Sequence, residues 1–499
     1  MLKNILKGFL SEIAVFYLLS SIFFVSSGLY ATNYSLAKRY LELWEPELAL
    51  SEVGEDESIT ARRIIAQAYH YLGRYDDAIK MYEGFQRNRK DEEEYQYLKD
   101  IREYHKQFKK YESLNFIVHA IPEDEKTAHF ILNGLEKAYN LYSKIFDFRL
   151  NNKLAVEVYS EIQSFNRASS LSKRQIEISG AIGICRFNRL MFLSPGATML
   201  GYRYVNTGVH EFFHYIIYKK TKANCPIWIH EGSARFFEGF FKKKSVSNFL
   251  TEEQINLLLD ACETDQWVSF DDMEPSLVDL PKPSDVSLAF AIASITVDFL
   301  TESGKNLEIM KKIYEGLGAG KNWRDIIYEQ KGIKSDELFN KIKEHIMSKN
   351  YKRVPGATLK LKHILDKREQ SFNPENDLKI IEQPKIREYL QIGDGFRMRG
   401  RNRAALIEYK KALKLDALSE VILTRIGITY RLLGEIDKAI ENLNRATETN
   451  DAYPTPYKYL GIIYKEKGDI KRAKEYIEEA LEIQPYDPEL YKILDSCNQ

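Results

Sequence analysis

The chain is poor in cysteine, in net charge and in histidine, and each shortage narrows what it can be. Its four cysteines, Cys185, Cys225, Cys262 and Cys497, are scattered over 499 residues. They form no C-x-x-C motif for redox work or a structural metal, and four in this length make no disulfide scaffold, although Cys225 and Cys262 could pair in an exported protein. Lysine plus arginine and aspartate plus glutamate both number 72, so neither a nucleic-acid-binding surface nor an acidic tail is expected. Histidine is the most telling scarcity. With nine in the whole chain, an H-E-x-x-H arises by chance in roughly one such sequence in a hundred.

One is present, at His210-Glu211-Phe212-Phe213-His214. Val209, Phe212, Phe213, Ile216 and Ile217 recur at spacings of three and four, the pattern of a half-buried helix. On a helix the two histidines leave one face a single turn apart. Each imidazole can then reach one Zn²⁺ at about 2.0–2.1 Å, with Glu211 beside the metal, placed to take a proton from an attacking water. A catalytic zinc takes three protein ligands, so a third comes from elsewhere. Glu231, in Trp228-Ile229-His230-Glu231-Gly232, is the candidate. It opens an expected helix from Glu231 to Phe240, just after the turn signal Asn224-Cys225-Pro226. The competing account is a pair of histidines on an ordinary amphipathic helix.

Taken together, H-E-x-x-H and W-I-H-E-G-S-A resemble the gluzincin metallopeptidases, and are most similar to the peptidase MA-like proteins that carry tetratricopeptide repeats. The resemblance spans about Ser113 to Asn350. It implies an α+β zincin-like peptidase domain, one Zn²⁺ per chain held by His210, His214 and Glu231, Glu211 as general base, and hydrolysis of a peptide or protein substrate without a covalent intermediate. The exopeptidase signature G-A-M-E-N is absent, so amino-end trimming is not implied. Phe290 stands where the family commonly places a tyrosine that donates to the oxyanion, and losing one such donor typically costs about 10²–10³ in turnover. Tyr202, Tyr204, His230 and Arg235 are candidate substitutes, each also readable as a packing or surface residue.

Strands are expected at Phe116–Ala120 and Leu154–Tyr159, with a helix from Thr127 to Ile145 between them. A further short strand is expected over Arg189 to Pro195, where the resemblance puts the edge strand that pairs with substrate; an ordinary sheet edge would read the same. The pattern turns mainly helical after the zinc segment.

A repeat follows. Gly393, Gly427 and Gly461 are 34 apart, as are Gly400, Gly434 and Gly468, then Ala405, Ala439 and Ala473, then Ala412, Ala446 and Ala480. Small residues in phase at this period are the tetratricopeptide signature, with Tyr430 and Tyr464 filling between units and Pro485 closing the last pair. A weaker copy is carried by Ala66, Tyr69, Gly73 and Ala78. These all-α repeats read as a binding surface for a protein partner, or as a spacer or docking surface for their own chain.

Lys3 and Lys7 precede an apolar run from Ile13 to Val25, and small residues follow to Ala31. This is the plan of an export signal, or of an uncleaved membrane anchor. The expected organisation is therefore 1–31 signal peptide or anchor, 34–111 repeat-like helices, 113–350 peptidase-like domain, 351–383 linker and 384–499 repeats. Two functions fit it: an exported zinc endopeptidase, outside the cytoplasm, whose repeats recruit substrates or partners, and a weakly active or inactive scaffold of the cell envelope.

Overall fold

The computed structural model describes residues 34–171, 182–242, 250–357 and 377–498. The expected export segment, 1–31, lies outside them. The chain forms two compact units, Met1–Lys106 and Gln107–Gln499.

The first unit is helical: 34–42, Pro46–Val53, Ile59–Tyr71, Tyr75–Lys80 and Arg89–His105. Ser58 caps one helix by accepting from the Ala61 N–H, and Asn88 and Asp91 form a reciprocal capping box on another, which serves amide groups that the first helical turn leaves unpaired. Ala37, Leu41, Ala49, Ala61, Ile64 and Ala68 close the core. Between paired helices Gly73 adopts φ 71°, and Gly400, Gly434 and Gly468 do the same at 71°, 75° and 79°. That phased column is glycine because the turn needs the left-handed region.

The second unit begins with a five-stranded mixed sheet: β1 Lys109–Glu112, β2 Phe116–Ala120, β3 Leu154–Tyr159, β4 Gly183–Arg186 and β5 Arg189–Leu193, in the order β1-β2-β3-β5-β4. Strands β2, β3 and β5 are parallel, while β1 and β4 run antiparallel at the two sides. Two expectations change here. The boundary expected between 111 and 113 cuts through β1, whose Lys109 to Glu112 pair with Ala120 to Ile117. The strand expected at the edge, β5, lies inside the sheet, because β4 covers its other side and is the edge among the described residues. Val156 pairs with Leu190 and Val158 with Phe192, so the interior strands are apolar on one face. On the other, Glu157 and Arg189 bond at 2.6 Å with each side chain 2% exposed, a burial that charges tolerate only when paired.

The crossover helix Glu125–Phe146 joins β2 to β3. Against this layer lie helices Tyr204–Thr221 and Ile227–Phe241, locked by Phe213 stacked on Phe237 at 4.4 Å and by the Tyr142 hydroxyl donating to the Phe237 carbonyl at 2.6 Å. Helix Pro283–Leu300 is apolar along most of its length because it is enclosed.

Three helix pairs follow, Pro384–Met398 with Asn402–Leu415, Glu420–Leu432 with Ile436–Thr449, and Pro454–Glu466 with Ile470–Leu481, and Pro488–Ser496 ends the stack. A Cβ on Gly393, Gly427 or Gly461 would lie 2.4, 2.7 or 2.6 Å from Tyr409, Leu443 or Ile477, so this second glycine column exists for close helix approach, not for turn geometry. The expected linker, 351–383, is also revised. Arg353 bonds Asp260, and Val354 bonds Asn256. Asp377 and Ile381 are buried in the repeats. Of that stretch, 358–376 lie outside the described residues.

The repeats pack directly on the sheet layer. Tyr486 bonds Asp124, Thr127 at 2.7 Å and Ser194 at 3.0 Å, the Tyr202 N–H donates to the Ile483 carbonyl at 3.2 Å, and Arg203 pairs with Glu479. This is the docking surface that the sequence left open.

Candidate metal centre

Two helices and the turn between them place the polar residues. Helix Tyr204–Thr221 ends where Lys222 turns left-handed at φ 53°. The chain then reverses, and the next helix starts at Ile227, four residues before the expected Glu231, because Pro226 precedes it and the Glu274 carboxylate accepts from the Ile227 N–H at 2.7 Å. An acidic acceptor is favourable at a helix amino end.

His210 and His214 turn their Nε2 atoms toward one another at 3.0 Å. Glu231 Oε2 lies 3.6 Å from His214 Nε2 and 3.9 Å from His210 Nε2. Donors on a tetrahedron with zinc-to-ligand bonds of about 2.0–2.1 Å would stand about 3.3 Å apart. Two imidazoles and a carboxylate at these separations therefore fit a zinc-sized cation. Burial drives the His214 pKa well below its usual range, which keeps that ring neutral, the form that binds metal, whereas at His210 burial is outweighed by Glu238, Glu211 and Glu231, which raise the pKa.

Glu211 is 7% exposed. Burial first, and Glu231 after it, push its carboxyl up to about 7 against the opposing pull of His210 and a Cys185 backbone hydrogen bond. Edge strand β4 passes over it: a Cβ on Gly183 would lie 3.1 Å from Glu211 Cγ. Among the described residues the edge strand beside the candidate base is thus β4, not the Arg189 strand.

Two participants carried weaker sequence signals. Glu238 Oε2 lies 3.2 Å from His210 Nδ1 and 3.0 Å from Arg235. Burial works to raise its pKa, but Arg235 and His210 outweigh it and hold the carboxyl down at about 2. Glu238 is seven residues beyond Glu231, hence on the same helical face, and that spacing was readable. His230 stacks parallel on His214 at 4.3 Å, and burial above all lowers its pKa to about 3. Donor atoms of His210, Glu211 and His214 lie within 4.8 Å of one another, as do those of His214, His230 and Glu231.

Of the four substitutes for an oxyanion tyrosine, two are spent elsewhere. Tyr202 donates its hydroxyl to the Leu193 carbonyl and Tyr204 to the Leu481 carbonyl at 3.1 Å, both fully buried. Arg235 is held by Glu238, and His230 sits against the candidate ligand His214. Phe290 lies in the middle of helix Pro283–Leu300, one turn before Ala293. There the two helices meet: a Cβ on Gly232 would come within 2.3 Å of the Ala293 carbonyl oxygen. Gly232→Val is expected to lower stability by about 1–3 kcal/mol, measured by urea unfolding; an unchanged midpoint would mean that the approach is not tight. The Cys225–Cys262 pairing that the sequence left possible is not formed, since all four cysteines are free. Cys225 lies near Glu274 and Glu231, and Cys262 near Lys343 and Glu263.

Residues 64–87, 421–453 and 460–487 match the family model of the tetratricopeptide repeat. No curated protein matches the chain. Among solved structures, the first such domain of human RPAP3 is similar at 23% identity, covering 23% of this chain and 91% of that one, with a TM-score of 0.23. The Sgt2 repeat domain of Aspergillus fumigatus is 22% identical, covering 23% and 78%, TM-score 0.23. The type III secretion translocator chaperone SycD of Yersinia enterocolitica is 15% identical, covering 24% and 96%, TM-score 0.22.

Proposed function

We propose that this chain is an exported, zinc-dependent endopeptidase of gluzincin type, in an α+β zincin-like domain whose tetratricopeptide repeats bring protein substrates or partners to it. The observation that carries this reading is the convergence of His210, His214 and Glu231 on one point with Glu211 alongside. Those three residues would hold one Zn²⁺, which when bound supplies Lewis acidity toward a peptide carbonyl and toward water. Glu211 takes the proton of the attacking water and delivers it to the leaving amine nitrogen; a carboxyl held up to about 7 by burial is suited to both halves of that transfer. An extended peptide would lie along β4, the edge strand among the described residues, beside Glu211. His230 is the favoured oxyanion donor, through a neutral N–H. Residues 1–31 direct the chain across, or into, a membrane.

The test is zinc per chain together with hydrolysis of an unfolded protein, before and after chelation. One zinc per chain, activity lost with chelator and regained on adding zinc, is the expected result; undiminished cleavage by metal-free protein would sink the proposal. Glu238→Gln is expected to lower zinc affinity about 10–100-fold, the usual effect of removing a carboxylate that orients a ligand histidine, by competition with a chromogenic chelator; unaltered affinity would remove Glu238 from that role. The scaffold reading is favoured by one feature, Phe290, which has no hydroxyl. Bound zinc without hydrolysis would select it.

A further inference from the structure

A cavity of about 610 Å³ lies between the first helices of the three carboxyl-terminal pairs, a volume in the range of small-ligand and peptide-anchor sites. Its basic side chains are already matched. Arg425 makes two bonds to Asp377, at 2.8 and 2.9 Å, and a third to Asp394 at 3.1 Å. Arg397 also bonds Asp394, at 3.1 Å, and Lys458 is paired with Asp487 at 3.1 Å and with Glu489. Four carboxylates thus face three cations in the lining. Asp377, which the sequence assigned to a linker, is the anion that fills the arginine fork; the Tyr453 hydroxyl also donates to it, at 2.8 Å. An incoming carboxylate would have to displace it from a buried, hydrogen-bonded pair.

Two further lining groups are left open. Thr424 Oγ1 and Gln484 Oε1 are buried without a hydrogen-bond partner, their residues 0% and 4% exposed. An unpaired buried acceptor such as the Gln484 carbonyl oxygen is costly and calls for an N–H donor, and a peptide backbone supplies one. Glu489, at the rim with its side chain 63% exposed, shares Lys458 with Asp487, so the lining carries one carboxylate more than it has cations, which attracts a cation.

Resting on the reading that these repeats bind a polypeptide, and not on hydrolysis, we infer that this cavity takes an extended peptide segment that is uncharged or lysine- and arginine-bearing, and rejects acidic ones. Thr424 and Gln484 bond its backbone, the surplus carboxylate charge at the Glu489 rim favours its basic side chain, and Asp377 blocks the arginine to carboxylates.

The experiment uses the full chain carrying Glu211→Gln and fluorescein-labelled ten-residue peptides of one apolar core flanked by lysine, glutamine or glutamate, with binding read by anisotropy at fixed salt. Lysine-flanked peptide should bind at least about tenfold tighter than the glutamate-flanked one. The double variant Thr424→Val, Gln484→Leu should weaken that binding about tenfold without lowering Tm, because it removes two unsatisfied groups. Tightest binding by the glutamate peptide would overturn the inference and leave the partner reading standing. Absence of binding by all three would overturn both, and a fall in Tm with the double variant would assign the two residues a structural role instead.

Discussion

Glu211→Gln is expected to lower hydrolysis of an unfolded protein by roughly 10²–10⁴-fold while zinc per chain stays unchanged. Glutamine keeps the shape and one acceptor oxygen of glutamate but cannot hold the proton that the attacking water gives up. Glu211 is fixed by its own helix and by β4, through Gly183 and the Cys185 backbone bond, so the exchange should leave the surroundings in place. The paired readout separates the outcomes. Equal cleavage by the variant would remove Glu211 from the chemistry, and loss of zinc together with cleavage would make it a ligand or a fold-determining residue.

Glu231→Ala should act the other way, on the metal first. Of the three donors it alone comes from helix Ile227–Phe241, and its carboxylate closes a triangle with sides of 3.0, 3.6 and 3.9 Å. Without it, two imidazoles one turn apart remain. Zinc affinity should fall by more than the roughly 10–100-fold that follows loss of an outer-shell partner, and hydrolysis should disappear at zinc levels that saturate the intact protein. Because His230 stacks on His214 and carries a donor that could swing in, the variant is best compared with the double exchange Glu231→Ala, His230→Ala. Full zinc affinity in the double variant would refute the three-ligand centre.

How much of this was legible in the sequence depended on the range of the interaction. The helix of His210 and His214 is written in apolar spacings within eighteen residues, and the repeats in glycines whose turn and packing roles recur every 34 residues. Local rules decide such features. Strand order is different. Whether the Arg189 strand lies at an edge depends on where β4, only two residues away in sequence, folds back, and β4 is a four-residue strand that the sequence pattern does not pick out. Tyr202 and Tyr204 were plausible oxyanion donors because their acceptors, the Leu193 and Leu481 carbonyls, are backbone groups that no side-chain pattern announces. Asp377 sat in a polar stretch with linker composition, and only the fork of Arg425, 48 residues on, gives it a place.

A solenoid held only by neighbour-to-neighbour contacts opens from its free end. Here the last full pair and the turn after it are pinned by Tyr486, Ile483 and Leu481 to residues before and after β5. The turn after the last full pair is instead anchored next to the helix that bears His210. Melting of the repeats and melting of the sheet layer are thereby coupled into one cooperative event, and a chain cut before the repeats would expose the Tyr204 hydroxyl and the Tyr202 N–H to water.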